Sequence, residues 1–187
     1  MVRKKHFNLS ETEQTLVKNI ADTFQAKGKK LIVLINVVGA IETASWKNNA
    51  DAILLTWQPG MEAGNAIADV LSGTANPSGK LATTFTMKYE DVPSSKNFPD
   101  TPADRLKDVV YEEGIYVGCR YCNSFVVKIS FPFGYGLSYT LYAYSNLKLS
   151  SSTFKGSVKA TVTITNTGKE PKRGCSIVSQ RHGKKYR

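Results

Sequence analysis

The sequence contains one nearly unbroken apolar run, Leu31-Ile32-Val33-Leu34-Ile35-Asn36-Val37-Val38, at residues 31–38. A run this short and this rich in β-branched side chains is typical of a buried strand in a parallel sheet. Ala52-Ile53-Leu54-Leu55-Thr56-Trp57 is a second run of the same kind, and Pro59-Gly60 ends it. The two runs therefore predict neighbouring parallel strands of an α/β domain.

Helix signals flank both predicted strands. Ser10 and Glu13 form a capping box, after which apolar residues recur at helical spacing until Gly28. A second apolar helix face runs through residues 63–71 and is closed by Gly73. The order of helix, strand and turn predicts an open, mostly parallel α/β sheet, whose ligands bind beyond the carboxyl ends of the strands.

The pattern changes twice after this region. Periodicity fades over residues 89–128, and the prolines there predict a long loop, which is uncommon unless it is functional. Apolar and polar residues then alternate over residues 144–150 and 158–167, which predicts half-buried antiparallel strands. Residues 141–187 thus begin an all-β unit that is too short for a sandwich of about 100 residues.

Charge is concentrated at the two ends of the 187-residue chain. The net charge is +10, but residues 1–10 carry three positive charges and residues 171–187 carry six, which leaves +1 for residues 11–170. A nucleic-acid or anionic-lipid interaction would depend on these ends, and short charge runs are usually solvated. We therefore expect no nucleic-acid partner and no membrane partner. The basic start, which no apolar segment follows, is not expected to be a secretory signal.

The motifs that suggest a cofactor or a metal lack the spacing or the number of ligands that such a site needs. Gly79-Lys80 lacks both the glycine spacing and the hydroxyl residue of a phosphate loop, so no cofactor is predicted. Cys119 and Cys122 have Cys-x-x-Cys spacing, but a zinc site needs four ligands, and no metal is predicted. A redox pair usually opens a helix after a strand in a thioredoxin-like unit, and the sequence shows no such context here. We therefore interpret both cysteines as packed or incidental. The remaining cysteine and the histidines lie far from this pair along the chain: Cys175, His6 and His182.

Four carboxylates are candidates for acid–base chemistry: Glu62, Asp91, Glu112 and Glu113. A glycosidase needs two carboxyl groups that flank a sugar, and sequence spacing does not establish such a pair. Glu62 precedes a predicted helix, where acidic residues are most often dipole partners. Asn8-Leu9-Ser10 is a glycosylation sequon, for which we favour the helix-cap interpretation of Ser10. We assign no catalytic residue in this chain.

Several stretches together resemble glycoside hydrolase family 3, the β-glucosidase and β-xylosidase group. The resemblance covers roughly residues 8–169 and rests on the ordered blocks 31–38, 52–66 (AILLTWQPGMEAGNA), 68–73 (ADVLSG), 76–81 (NPSGKL), 111–118 (YEEGIYVG) and 131–139 (FPFGYGLSY). It implies that residues 1–140 are the later part of a three-layer α/β-sandwich domain with an incomplete sheet. It also implies that residues 141–187 open an immunoglobulin-like or fibronectin type III-like sandwich.

The resemblance also implies a function and a missing part. Family members hydrolyse O-glycosyl bonds of β-linked glycosides by a retaining mechanism. Their aspartate nucleophile lies on an N-terminal barrel domain, and their acid/base glutamate commonly lies in a loop just before the segment that matches the Ser10 helix. We therefore expect both catalytic carboxylates, and the barrel domain, to lie outside this chain. We expect the isolated chain to be inactive, with no cofactor.

The chain departs from the family pattern at several positions. Cys119 and Cys122 stand where aromatic residues are usual, and Met61 and Ala63 replace the more usual Gln and Gly. From about residue 171 a basic segment replaces an expected valine-rich strand. Our hypothesis is that this segment is read out of frame or that the gene is truncated there. The other two frames of the coding DNA test it, because one of them should restore an alternating strand.

An alternative reading belongs to a different functional class. The chain would be a non-catalytic module that packs on a barrel or binds carbohydrate, with Trp57 or the 89–128 loop as the contact. In either case the predicted sheet ends in an exposed edge, and the β unit lacks most of its strands. We therefore expect marginal stability or aggregation of the isolated chain, which a cooperative melt would contradict.

Overall fold

The computed structural model describes residues 4–97, 111–153 and 156–169, with only the backbone of Lys4 and Lys5. The α-helices are α1 (Lys4–Phe7), α2 (Glu11–Ala26), α3 (Ala63–Ser72) and α4 (Cys119–Ser124). The strands are β1 (Ile32–Ile35), β2 (Ala52–Leu55), β3 (Phe85–Thr86), β4 (Ile129–Phe131), β5 (Tyr142–Leu149) and β6 (Ala160–Asn166). Short 3₁₀ turns lie at Lys47–Asn49, Tyr89–Asp91 and Pro93–Ser95. Among the described residues, no helix is long and apolar enough to cross a membrane.

The chain divides into two compact units. The first contains the residues up to Gly64 together with Leu81–Tyr135. The second contains Asn65–Lys80 and the described residues from Gly136 onward. Within the described residues, the first unit holds β1 to β4, and the second holds most of α3 together with β5 and β6.

Strands β1 and β2 form the predicted parallel pair. Their register runs from Ile32 opposite Ala52 to Ile35 opposite Leu55. The prediction of parallel pairing and of an α/β domain is therefore confirmed, although each strand is shorter than its apolar run. One face of the pair packs on a buried cluster of four side chains, which we call the core cluster: Ile35, Ile41, Trp46 and Phe85. On the other face of the pair, Ile32 and Leu34 of β1 remain exposed.

The capping box at the start of α2 is confirmed. The Ser10 backbone N–H donates to the Glu13 carboxylate at 2.8 Å, and the Glu13 N–H donates to the Ser10 hydroxyl at 3.3 Å. These two bonds satisfy donors that a helix start leaves without intrahelical partners. The helix ends at Ala26, and Gly28 takes the left-handed backbone (φ +62°) that its lack of a Cβ allows.

Three elements of the first unit are absent from the sequence-based prediction: β3, β4 and α4. Strands β3 and β4 pair antiparallel, with Phe85 opposite Phe131 and their rings 6.3 Å apart in an edge-to-face arrangement. Helix α4 lies inside the stretch predicted as a loop, which corrects that part of the prediction. A strand of two residues and a helix of six show too few positions for a periodic pattern.

In the second unit, the loop after α3 is tied to the segment before β5. The Asn76 side-chain oxygen accepts hydrogen bonds from the Ser138 hydroxyl at 3.0 Å and from the Tyr139 N–H at 2.9 Å. The Tyr139 hydroxyl donates to the Val70 carbonyl at 2.8 Å. The Lys80 ammonium donates to the Gly136 carbonyl. The bonds of Asn76 and Lys80 join the NPSGK and GLSY segments that the sequence analysis singled out, and the Tyr139 hydroxyl joins GLSY to α3.

Strands β5 and β6 form an antiparallel ribbon with a β-bulge at Asn146. Ser145 pairs with Thr163 and Lys148 pairs with Thr161, so three steps along β5 match only two along β6. Asn146 adopts a left-handed backbone (φ +55°). The extra residue moves Leu147 onto the face that carries Tyr144. One face of the ribbon therefore collects the apolar side chains, which are Tyr142, Tyr144, Leu147, Leu149, Ala160, Val162 and Ile164.

The apolar face of the ribbon is more exposed than the sequence pattern predicted. Tyr144 is 55% exposed, Leu147 68% and Leu149 59%. The opposite face carries mainly threonine, serine and lysine side chains. The predicted strands and their antiparallel pairing are confirmed, but the predicted half-burial of the ribbon is not seen among the described residues.

An ion pair beside β1 and β2 predicts a loss of stability in acid. The Lys30 ammonium donates to Asp51 at 2.7 Å, and the Leu31 N–H donates to the same carboxylate at 2.9 Å. These bonds lower the pKa of Asp51, the Lys30 bond most. A lowered folded-state pKa adds stability above the unfolded value of about 3.9, and that stability is lost as the pH falls through the folded value.

We expect Asp51→Asn to be less stable than the parent at pH 7, with the difference shrinking as the pH falls through the lowered pKa of Asp51, because the parent carboxyl is then protonated. Urea unfolding at several pH values measures this difference. Lys30→Met removes the stronger of the two hydrogen-bond partners of Asp51. The stability of this variant should keep part of its pH dependence, because the Leu31 N–H still donates to the carboxylate. A difference between parent and Asp51→Asn that does not change from pH 7 to pH 3 would contradict the assignment.

Candidate functional site

The carboxyl edge of β1 and β2 is where an α/β sheet usually binds its ligand. Trp57 follows β2 at this edge and has a left-handed backbone (φ +52°), which is rare for a bulky residue. Its ring packs against Phe85, with the centroids 6.3 Å apart, and it belongs to the shell of half-buried side chains around the core cluster. The sequence-based alternative gave Trp57 a carbohydrate contact, whereas the structure engages much of its indole in core packing.

The loop after β1 carries a buried carboxylate that sequence reasoning missed. Glu42 is 8% exposed, and both of its carboxylate oxygens accept hydrogen bonds from Ser45, from the N–H at 2.7 Å and from the hydroxyl at 2.6 Å. Its backbone carbonyl accepts a bond from the Trp46 indole at 2.8 Å. Glu42 therefore stabilises a turn and orients Trp46. The available signal was its position three residues before a serine, a spacing at which a carboxylate can accept from the backbone.

A second polar cluster joins the same loop to β4. The hydroxyls of Thr43, which is fully buried, and Ser130 lie 2.7 Å apart. The Lys47 ammonium donates to the Ser130 hydroxyl at 3.1 Å and lies 4.7 Å from the centre of the Phe131 ring. A cation over an aromatic face is attracted to it. This cluster holds loop and strand together, and its polar groups already have partners.

The four predicted carboxylates lie in three segments of the first unit, because Glu112 and Glu113 are adjacent. Glu62 is exposed in the turn before α3, which is the position expected of a helix-dipole partner. Asp91 accepts the Lys88 N–H at 3.0 Å and closes its own turn. Glu112 is exposed and Glu113 is half-buried in the segment that leads to α4. The absence of a catalytic residue remains a prediction.

Cys119 and Cys122 occupy the first turn of α4, a helix start that the sequence did not predict. Cys119 is half-buried, Cys122 is 3% exposed, and neither is in a disulfide. Burial raises the pKa of the Cys122 thiol, and the negative charge of Asp91 raises it further. Among the described residues, no group of three or more histidine, cysteine, aspartate or glutamate side chains could hold a metal. Cys175 and His182 lie outside those residues.

The difference between the two cysteines predicts selective alkylation. Only the thiolate reacts, so a raised pKa and burial both slow the reaction of Cys122. In a Cys175→Ser background, we expect iodoacetamide at pH 7.5 to label Cys119 at least about tenfold faster than Cys122. Peptide mass spectrometry measures the two rates, and the rates should converge in urea. Equal rates in the folded chain would show that Cys122 is accessible and its thiol unperturbed.

Comparison with known proteins decides the family. Residues 2–139 match the Glycosyl hydrolase family 3 C-terminal domain. The chain belongs to glycosyl hydrolase family 3. This confirms the resemblance read from the sequence blocks, and it assigns the loop after β1 and the NPSGK segment to a family 3 scaffold.

Family 3 members of known structure share the fold. The structure of β-glucosidase 3B from Thermotoga neapolitana in complex with glucose is 48% identical, with a TM-score of 0.81 over 87% of this chain and 22% of that one. A family 3 β-glucosidase from Bifidobacterium adolescentis is 33% identical, with a TM-score of 0.75 over 87% of this chain and 23% of that one.

Curated family 3 relatives are much longer than this chain. β-Glucosidase B of Emericella nidulans is 42% identical over 144 residues, which is 73% of this chain and 17% of the relative. β-Glucosidase A of Butyrivibrio fibrisolvens is 37% identical over 183 residues, or 88% of this chain and 21% of the relative. The chain therefore spans about a fifth of the length of the relatives it matches.

Proposed function

We propose that this chain is the C-terminal part of a retaining, β-glucosidase-like glycosidase that hydrolyses O-glycosyl bonds of β-linked glycosides. The observation that carries the proposal is the 48% identity to a β-glucosidase whose structure was solved with glucose. Its partners would be a β-linked glycoside and an N-terminal barrel domain, and the reaction would need no cofactor.

The isolated chain is proposed to be inactive. In the family, the nucleophile lies on the barrel, and the acid/base glutamate lies in a loop before the segment that matches α2. Both carboxylate oxygens of the buried Glu42 accept hydrogen bonds from Ser45, and the Asp91 carboxylate accepts one from the Lys88 N–H. Neither carboxylate is therefore available as the nucleophile or as the acid/base group. Loss of a catalytic group that acts as part of a unit costs many orders of magnitude in rate.

We also propose the domain division at residue 140. Residues 1–140 would be the α/β-sandwich domain, and residues 141–187 would begin a fibronectin type III-like sandwich. Support comes from the β5–β6 ribbon, whose bulge at Asn146 gathers apolar side chains on one face. A two-stranded ribbon is marginal by itself, and in a sandwich such a face packs on a second sheet.

The alternative function is that of a structural module that packs on a barrel domain without catalysis. The exposed side chains of Ile32 and Leu34 on the uncovered face of β1 favour it, because exposed aliphatic clusters commonly mark contact surfaces. Direct carbohydrate binding through Trp57 has less support, because its ring packs near the core cluster.

A chimera tests the proposed function. Residues 8–169 would replace the matching segment of T. neapolitana β-glucosidase 3B, and hydrolysis of 4-nitrophenyl β-glucoside would be measured for the chimera, the parent enzyme and the isolated chain. We expect kcat/KM of the chimera within about a hundredfold of the parent, or about 2.7 kcal/mol in transition-state stabilisation. The isolated chain should show no hydrolysis above background.

The outcomes separate the parts of the proposal. Hydrolysis by the isolated chain would overturn the placement of the catalytic groups on other segments. A chimera that melts cooperatively, as the parent does, but lacks activity would favour the structural module. The parent enzyme with the same segment deleted is the matched control, and activity of that deletion would show that the segment is dispensable.

A further inference from the structure

The Cys-x-x-Cys pair has a geometry that suits a disulfide. Cys119 and Cys122 are the first and fourth residues of α4, and the Cys122 N–H donates to the Gly118 carbonyl at 3.1 Å, which closes this turn. In a regular helix, Cα atoms three residues apart are separated by about 5 Å. Disulfides span Cα separations of about 4.4–6.8 Å, so the helix start holds the pair within bonding range.

The two thiols differ in access in a way that suits sequential exchange. Cys119 is half-buried and can meet a small solute, whereas Cys122 is buried. A bulky disulfide reagent would therefore reach Cys119 first. Cys122 lies one helical turn away, where it can attack a sulfur bonded to Cys119 and complete the exchange.

We propose that Cys119 and Cys122 form a thiol–disulfide site that exchanges with a low-molecular-weight disulfide such as oxidised glutathione. Cys119 loses its proton to solvent and attacks one glutathione sulfur, which breaks the glutathione disulfide and releases one glutathione thiolate. That thiolate takes up a proton. Cys122 then loses its proton, attacks the Cys119 sulfur and releases the second glutathione. Two cysteine thiols are oxidised, and one oxidised glutathione becomes two reduced molecules.

This site is independent of glycoside hydrolysis. The family usually carries aromatic side chains at both positions, so the pair is a departure of this chain from the pattern. The rings of Tyr121 and Phe125 pack on each other in and just after α4, with their centroids 5.0 Å apart. The site therefore adds a redox modification to a scaffold whose proposed catalytic groups lie elsewhere.

The experiment measures the equilibrium of the pair in the whole chain with Cys175→Ser. Folded chain is equilibrated in glutathione buffers of graded redox ratio, free thiols are trapped with N-ethylmaleimide, and the intact mass is recorded. We expect a product lighter by two hydrogen atoms that carries neither glutathione nor maleimide. The equilibrium constant for forming this disulfide from oxidised glutathione should be at least about tenfold larger in buffer than in urea. For a two-electron couple, that tenfold difference corresponds to about 30 mV in reduction potential.

Matched variants assign the order of attack. With Cys122→Ser, the chain should stop as a mixed disulfide on Cys119, and with Cys119→Ser, the folded chain should resist modification. Equal equilibrium constants in buffer and in urea would overturn the proposal, because the helix would then add nothing. A parent chain that keeps one glutathione without closing would also overturn it. The comparison of buffer with urea uses one chain, so it does not depend on how well the variants fold.

Discussion

Replacing Trp46 with alanine is expected to unfold the first unit. Trp46 is 2% exposed within the core cluster, and its indole N–H is bonded to the Glu42 carbonyl. Truncation of a buried tryptophan costs about 3–5 kcal/mol. The free energy of unfolding of natural domains is about 5–15 kcal/mol, and we expect a chain that exposes much apolar surface to lie near the lower limit. Urea unfolding followed by far-UV circular dichroism should show a transition shifted to very low urea or lost.

Two further variants identify the cause of that loss. Trp46→Phe keeps most of the packing but leaves the buried Glu42 carbonyl without its donor, so we expect an intermediate loss of about 1–3 kcal/mol. Met61→Ala alters an exposed side chain and should leave the midpoint nearly unchanged. If Trp46→Ala unfolded at the same urea concentration as Met61→Ala, Trp46 would not be a core residue.

Replacing Gly136 with alanine is expected to destabilise the second unit. An added Cβ would overlap the Gly79 carbonyl oxygen and would lie 2.9 Å from the Lys80 Cδ. The carbonyl belongs to the backbone, so the segments that Lys80 and Gly136 join must move apart. Overpacking of this kind costs about 1–3 kcal/mol. Hydrogen exchange should show faster opening of the amides of residues 136–142.

Other glycines provide matched controls for that clash. Gly79→Ala lies on the opposite side of the same contact, where an added Cβ meets nothing within 4 Å, and it should be nearly neutral. Gly64→Ala lies inside α3 with open space around it, so it should stabilise by about 0.5–1 kcal/mol through helix propensity. Gly136→Ala that behaves like Gly79→Ala would show that the two segments are not in contact.

Elements specified by neighbouring residues were predictable. The Ser10–Glu13 capping box forms within four residues, and its start and helix appear where the sequence indicates. The parallel pairing of β1 and β2 followed from two apolar runs without alternation, which are typical of parallel strands. The burial that these runs predicted is seen on one face only, since Ile32 and Leu34 of β1 are exposed. The order of the family 3 blocks was likewise readable without coordinates.

Elements that depend on distant residues were not predictable. Only the serine three residues after Glu42 distinguished it from the exposed Glu62 in the sequence. The Glu42 N–H donates to the Phe7 carbonyl at 2.7 Å across 35 positions of sequence. The start of α4 at Cys119 lacked a periodic signal, since six residues do not define an apolar face. The large apolar residues of β5 fall at even positions up to Tyr144 and at odd positions from Leu147, which could have indicated the bulge at Asn146. Its left-handed backbone is seen only where β5 is paired with β6.

The sequence by itself determined the α/β class and the order of α2, β1, β2, α3, β5 and β6, because a capping box and short apolar or alternating runs specify these elements within a few residues. It determined the family through the order of its sequence blocks. Only the tertiary structure decided which carboxylate is buried and that two cysteines share one helical turn. It also decided that the bulge at Asn146 places Leu147 on the same ribbon face as Tyr144 and that this face is exposed. Burial and pairing depend on which distant segments meet, and the free energy of that packing is not encoded in any single stretch of the chain.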